Sequence, residues 1–151
     1  MDLSVLRGKY LTFKLLDEEY AISINNITEI IGLQPITPVP NAPYYVRGVI
    51  NLRGVVIDVM DLKSKLGIME KEYDEKTSII VVDVEIEGEE KKIGIIVDAV
   101  EEVTDIDDIN ESSSYNDGGN VCGIGKIKDR VVMMLDIKKL ISGVPSYNFE
   151  A

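Results

Sequence analysis

The sequence has no histidine, no tryptophan and only one cysteine. Without histidine, the usual general base near neutral pH and the commonest zinc ligand are both missing, so a Cys-His or Ser-His catalytic site is excluded. The lone Cys122 cannot form an internal disulfide, which agrees with a reducing compartment. No apolar run approaches the roughly 20 residues of a membrane-spanning helix. The first residues, MDLSVLRGKY, lack the charged-then-apolar pattern of a secretory signal. A cytoplasmic protein is expected. Positive charge is also scarce: 16 Lys and Arg stand against 27 Asp and Glu, a formal net charge of −11. DNA, RNA and anionic membrane surfaces therefore repel the chain.

What is present is a soluble, globular composition, 45% hydrophobic and 28% charged, at a length of 151 residues that suits one compact unit or two small ones sharing a core. Within it lies a diverged duplication. GVINLRGVVIDVMDLKSKL from Gly48 aligns without gaps on GIGKIKDRVVMMLDIKKLI from Gly123, and YAISINNITEI from Tyr20 aligns on IGIIVDAVEEV from Ile93. The two segments recur in order at nearly one spacing.

Each copy reads as a hairpin, a short helical or bent piece, a connection and a second hairpin. The first hairpins are Tyr10 to Leu16 with Tyr20 to Asn25, and Thr77 to Glu85 with Lys91 to Asp98, the latter turning through Ile86 to Glu90. The second hairpins are Val46 to Leu52 with Val55 to Met60, and Val121 to Ile127 with Val131 to Leu135. VVIDVM and RVVMML are apolar on both faces, so these strands need cover on both sides. A small barrel supplies one cover from its interior, and a second barrel packed against it supplies the other. Pro35, Pro38, Pro40 and Pro43 make the intervening segment a stiff edge or connector. The connection DIDDINESSSYNDGG from Asp105 reads as an acidic, mobile loop.

No segment carries catalytic or metal-binding chemistry. CGIGKIK from Cys122 fails as a phosphate loop, with Asn120 and Ile127 where glycine and Ser or Thr are required. The acids Asp105, Asp107, Asp108 and Glu111 fail as a calcium loop, because Ile109 and Asn110 stand where an oxygen ligand and glycine belong. Asp61 and Asp136 occupy matching positions and read as helix N-caps, and Asn26 with Glu29 and Asp98 with Glu101 have capping-box spacing. Asp58 and Asp61 therefore do not mark an enzyme site, no metal or cofactor is expected, and Cys122 reads as a buried small side chain.

One arginine stands out. Asn51-Leu52-Arg53-Gly54 is the tip of a hairpin, with Gly54 free to take positive φ, so Arg53 points outward from a rigid corner. The second copy has Lys128-Asp129-Arg130 there, without glycine, which marks the first corner as specialised. Leu52 beside a fixed guanidinium suits a partner that offers an apolar groove and a carboxylate.

LDEEYAISINNITEII, ITPVPNAPYYVRGVINLRGVVIDVMDL, KIGIIVDAVEEV and VCGIGKIKDRVVMMLDIKKL together resemble the CheW family, the coupling proteins of bacterial chemotaxis. NLRG is the most specific mark, and Asp58 departs from the family at a position where proline is usual, which bears on local strand geometry. The resemblance implies an all-β fold of two five-stranded SH3-like barrels on a shared core, with short helical segments. One subdomain would hold approximately residues 1–32 and 102–151, and the other 33–101. It further implies a non-catalytic adaptor joining the cytoplasmic tips of chemoreceptors to the regulatory domain of the histidine kinase CheA, recruited to receptor arrays at the membrane. A CheW-like module fused to, or partnering, another two-component signalling protein is the alternative. Receptor contact maps onto Ile27, Glu29, Gly48, Arg53, Val100 and Val103, with Leu52 and Gly54 completing the corner. For Ile27, Val100 and Val103 core packing competes with this role, and Gly48 reads first as a backbone requirement. Kinase contact is placed only on the apolar edge of the second barrel.

Overall fold

The computed structural model describes residues 9–69, 71–106, 108–110, 120–144 and 149–150. The first repeat supplies strands β1 (Tyr10–Leu15), β2 (Glu18–Ser23), β3 (Ile27–Gly32), β4 (Val46–Leu52) and β5 (Val55–Asp61), then helix α1 (Leu62–Leu66). The second supplies β6 (Ser78–Ile86), β7 (Glu89–Val97), β8 (Ala99–Thr104), β9 (Asp108–Asn110), β10 (Val121–Ile127) and β11 (Arg130–Leu135), then α2 (Ile137–Ile141) and the short β12 (Phe149–Glu150). Two mixed sheets result. One runs β8-β1-β2-β11-β10-β9; the other runs β3-β6-β7-β5, with both β4 and β12 paired to β5.

The duplication extends to the pairing register. Tyr20 and Ala21 pair in parallel with Met133 and Met134, and their counterparts Ile93 and Gly94 pair in parallel with Asp58 and Val59. The β4–β5 ladder slips between Val46 and Gly48, and the β10–β11 ladder slips at the matching place, between Val121 and Gly123. Bulges recur at the same positions because a slip of one residue elsewhere would turn the buried set outward. Each sheet thus combines the first hairpin of one repeat with the second hairpin of the other, giving two SH3-like barrels.

In each sheet the turn of the second hairpin is tied across to the edge strand, β3 or β8, at the other end of the order. Arg53 in the β4–β5 turn is bonded to Glu29 on β3, and Arg130 at the start of β11 is 3.1 Å from Glu102 on β8. An open strand order whose ends meet is a barrel. The chain leaving β3 also returns along β4, where Thr37 and Val49 exchange both backbone hydrogen bonds at 2.9 Å. The second repeat has Asn110 opposite Ile124 at the equivalent place, and there the pairing continues through Ile109 and Asp108 as β9. Pro35 stands where Asp108 does and lacks the N–H to continue, so the first repeat keeps a single bridge. Close approach of this returning chain explains a repeated glycine. A Cβ on Gly48, whose φ is +142°, would sit 2.1 Å from the Thr37 carbonyl oxygen, and one on Gly123 would sit 3.0 Å from that of Asn110.

Several expectations need correction. The pieces after the first hairpins are not helical: β3 and β8 are strands, and only Ile24–Asn26 forms a 3₁₀ turn, capped by Ser23. Asn26 and Asp98 therefore cap no helix. Asn26 instead donates to the Asp83 carbonyl. Each sheet holds the five expected strands and one short addition among the described residues, β9 in the first and β12 in the second. The β6–β7 turn is the pair Glu87-Gly88, both at positive φ, so its strands reach further toward the turn than expected, β6 to Ile86 and β7 from Glu89. Asp58 does not disturb its strand: fully buried, it lies in register between Val49 and Ile93. Part of the acidic connection forms β9; Asp107, Glu111 and the rest of 111–119 lie outside the described residues. The cap assignments hold, with Asp61 and Asp136 accepting from the N–H groups of Ser64 and Lys139.

The largest apolar cluster lies between the barrels. Leu11, Phe13 and Leu15 of β1 meet Ile80, Val82, Ile93 and Ile95 of β6 and β7 there. At the edge of this core sits a buried ion pair. Lys63 on α1 donates to Asp98 Oδ1 at 2.6 Å, and the Leu16 N–H donates to Asp98 Oδ2 at 2.6 Å. Asp98 is the residue at which the chain leaves β7 in one sheet for β8 in the other, so three elements are fixed on one carboxylate. Both charges are almost fully enclosed, and removal of one partner strands the other away from water. Lys63→Met is expected to lower stability by about 3–5 kcal/mol in urea denaturation, and adding Asp98→Asn to recover part of that loss, because the amide oxygen still accepts from Leu16. Equal stability of Lys63→Met and wild type would contradict this.

Candidate docking surface

Arg53 and Gly54 are the two turn residues of the β4–β5 hairpin, with φ of 51° and 90°. Two successive positive φ values match the right-handed twist of the flanking strands, and the Gly54 N–H is held by Asn51 Oδ1 at 2.8 Å. The turn takes the positive-φ geometry that its glycine permits, with its backbone held by the Asn51 side chain. The Arg53 side chain is 69% exposed, yet its guanidinium donates to Glu29 Oε2. That hydrogen bond is the main cause holding the Glu29 carboxyl below its ordinary range, with further attraction from the Arg53 and Lys92 charges opposing a smaller burial effect. The same partner raises Arg53.

The expected contact residues divide between two faces. A bulge in the β3–β6 ladder places Ile27 opposite Val82 and Glu29 opposite Val81. Cross-strand partners share a face. Ile27 therefore lies with the central core, and Glu29 with the interior of the second barrel, to which Val81 belongs. Glu29, Arg53 and Gly54 form the barrel's mouth. Leu52 is buried within that barrel, so it anchors the hairpin tip and offers little apolar surface of its own. Gly48 is also buried, beneath Thr37, and serves the backbone approach described above.

On the other face, Ile27 and Val100 are half-buried against the central core, Val100 opposite Phe13. Val103 lies opposite Leu11 and is 56% exposed. Its counterpart in the first repeat is Ile30, opposite Ile80 and 43% exposed. Ile30 was missed in the sequence, although the duplication pairs it with Val103. Exposed apolar side chains thus extend from the core along both edge strands.

The second corner is less different from the first than its sequence suggests. Lys128 adopts φ +54°, as Arg53 does at the matching position, and Arg130 bonds Glu102, the counterpart of Glu29. The cationic corner is therefore present in both repeats. What distinguishes them is that the first places its arginine at the turn itself. Among the described residues, no group of three or more acidic, cysteine or histidine side chains is placed to hold a metal ion, and no helix is long and apolar enough to cross a membrane.

This arrangement, a double barrel with fixed charges at its corners and apolar strips along its edge strands, defines a class of docking module. The model of the CheW-like domain matches residues 9–144. Among characterised relatives, the chemotaxis protein CheW of Klebsiella aerogenes is 32% identical over 139 residues, covering 89% of this chain and 81% of its own. The CheW of Thermotoga maritima is 33% identical, covering 89% and 87%. A crystal structure of the scaffolding protein TtCheW from Thermoanaerobacter tengcongensis superposes with a TM-score of 0.80 at 35% identity, covering 89% of this chain and 92% of that one. The chain belongs to the CheW-like family.

The Glu29–Arg53 link carries a pH signature. The folded-state value of Glu29 lies below the ordinary 4.5, so the link is fully present above that pH and is lost as pH falls through the lower folded value. An acid titration followed by the Gly54 amide resonance is expected to show this inflection, and Glu29→Gln to abolish it. Persistence of the inflection in Glu29→Gln would assign it to another carboxylate.

Proposed function

We propose that this protein is a non-catalytic chemotaxis adaptor, which couples the cytoplasmic tips of chemoreceptors to the regulatory domain of the histidine kinase CheA. Membership of the CheW-like family supports the chemotaxis scaffold role. The observation that carries the receptor contact is the exposed Arg53 guanidinium, pre-oriented by Glu29 on a turn with no conformational slack. A side chain already ordered loses less freedom on binding, so more of its interaction with a partner carboxylate appears as affinity. Apolar contact would come from Ile27, Val100 and Val103 with Ile30, and kinase contact from the second barrel's edge. By holding receptor and kinase on separate surfaces, the adaptor raises the effective concentration of one at the other, and brings a cytoplasmic chain to the membrane without inserting it.

Arg53→Ala and Arg53→Glu are expected to reduce co-sedimentation with receptor-bearing membranes by about tenfold or more, the glutamate variant most, with melting curves close to wild type and kinase binding retained. Wild-type co-sedimentation by both variants would overturn the receptor assignment.

A further inference from the structure

The repeat supplies an internal control for two short stretches of sheet edge. Each second hairpin turns through two residues, so the strand residues flanking the turn exchange the inner hydrogen bonds, and the next residue, Val56 or Val131, directs its N–H and C=O outward. β5 and β11 gain a parallel neighbour only from Asp58 and Met133 onward. One outward-facing residue is therefore left over in each barrel.

In the second barrel that residue is paired. The chain beyond α2 meets β5 as β12, with Phe149 opposite Val56 and Glu150 opposite Val55. Lys91 on β7 holds its approach, donating to the Val144 carbonyl at 3.1 Å. Val56 is half-buried, and Asp58, next along the same face, is fully buried. In the first barrel no described strand pairs with the outer side of β11 at Val131. Val131 is 57% exposed, and Met133, at the position of Asp58, is half-buried. An unpaired apolar edge of this kind is a template for a further strand.

The charge beside the edge has changed sign. At the positions of Lys91 and Lys92 on β7, β2 carries Glu18 and Glu19. Glu18 is exposed. One oxygen of Glu19 lies 3.7 Å from Arg130, and the other, Oε2, is enclosed with no hydrogen-bond partner among the described residues. Burial and then the Glu19 charge raise the nearby Glu101 carboxyl, against the opposing pull of Lys14 and Arg130. A carboxylate cannot donate to a passing carbonyl as Lys91 does. A strand carrying glutamate, as β12 does, therefore suits β5, whereas β11 favours one that carries a basic residue.

We propose that the outer edge of β11 at Val131 is a second docking site, which takes a short extended segment of a partner protein as an added strand. Backbone hydrogen bonds to Val131 set its register, an apolar side chain covers Val131 and Met133, and a neighbouring lysine or arginine meets the carboxylates of Glu18 and Glu19. The edge belongs to the other barrel from the Arg53 corner, so neither assignment stands or falls with the other.

The test uses the isotope-labelled full chain and two end-capped peptides as probes, residues 146–151, SYNFEA, and the same peptide with Glu150→Lys. The lysine peptide is expected to shift the amide resonances of Val131, Met133 and Glu18, and to bind about tenfold more tightly than its parent, since an attraction replaces a repulsion. Glu18→Lys, an exposed change that installs the second barrel's residue, should reverse that preference with melting unchanged. Val131→Pro deletes an outward N–H without touching the inner ladder and should abolish binding of both peptides. Equal binding of the two peptides, an unaltered preference in Glu18→Lys, shifts confined to β5, or no shifts at all would overturn the proposal. Val131 shifts that follow chain concentration without any peptide binding would assign the edge to a second copy, and contacts of Val131 with residues 1–8 in the unliganded chain would assign it to the chain's own N-terminus; either result overturns the partner assignment.

Discussion

The exchange of third strands between repeats is the constraint on which the rest of this structure depends. β3 follows the first hairpin of its own repeat in the chain, yet it pairs with the first hairpin of the other, and β8 does the reverse. Each barrel therefore draws on both repeats, and the apolar faces left by the two first hairpins must cover one another. The central core is the outcome. It holds the largest share of the buried aliphatic side chains, so the barrels are bound by the same hydrophobic term that stabilises each of them.

Where the chain crosses between barrels, the two repeats have diverged. One crossing is pinned by Asp98, whose carboxylate gathers Lys63 and the Leu16 N–H in a nearly dry site. The other is a 3₁₀ turn with no buried residue, tied to β6 by a hydrogen bond that the Asn26 side-chain amide donates to the Asp83 carbonyl. Buried ion pairs are weak sources of net stability but strict about geometry, because a displaced partner leaves an unsolvated charge. A fixed angle between barrels suits a scaffold protein, and the exposed apolar strips along β3 and β8 run out from the central core.

Much of this was legible in the residues. The second hairpins and the cap aspartates were readable because turn chemistry, alternation and capping act over a few positions. The duplication predicted more than similarity, since it carried register, bulges and the glycine at which the returning chain comes close, Gly48 and Gly123. In the sequence the edge strands look like bent or helical pieces, because Asn26 and Asp98 imitate helix caps and short β-branched runs such as ITEIIG carry little periodic signal. Leu52 looked like a surface residue from its place at a hairpin tip, and only closure of the barrel buries it. Lys63 belongs to a residue type seldom enclosed, and nothing local announces its partner, which lies well along the chain. The Glu29–Arg53 link was invisible for the same reason: sequence shows the arginine, and the barrel supplies the carboxylate.

The interleaved connectivity also imposes an order of assembly. Apart from the short β12, the strands of the second barrel follow one another from Ile27 to Val97, whereas the first barrel joins the opening hairpin to strands beginning at Ala99 and ending at Leu135. A ribosome releasing this chain N-terminus first can complete the inner barrel while the outer one is still missing most of its staves. Until synthesis reaches β11, the hairpin of β1 and β2 has no parallel neighbour, and its best shelter is the finished barrel's outer wall. Pairing β2 with β11 also closes a long loop, and closures of that kind carry a large entropic cost.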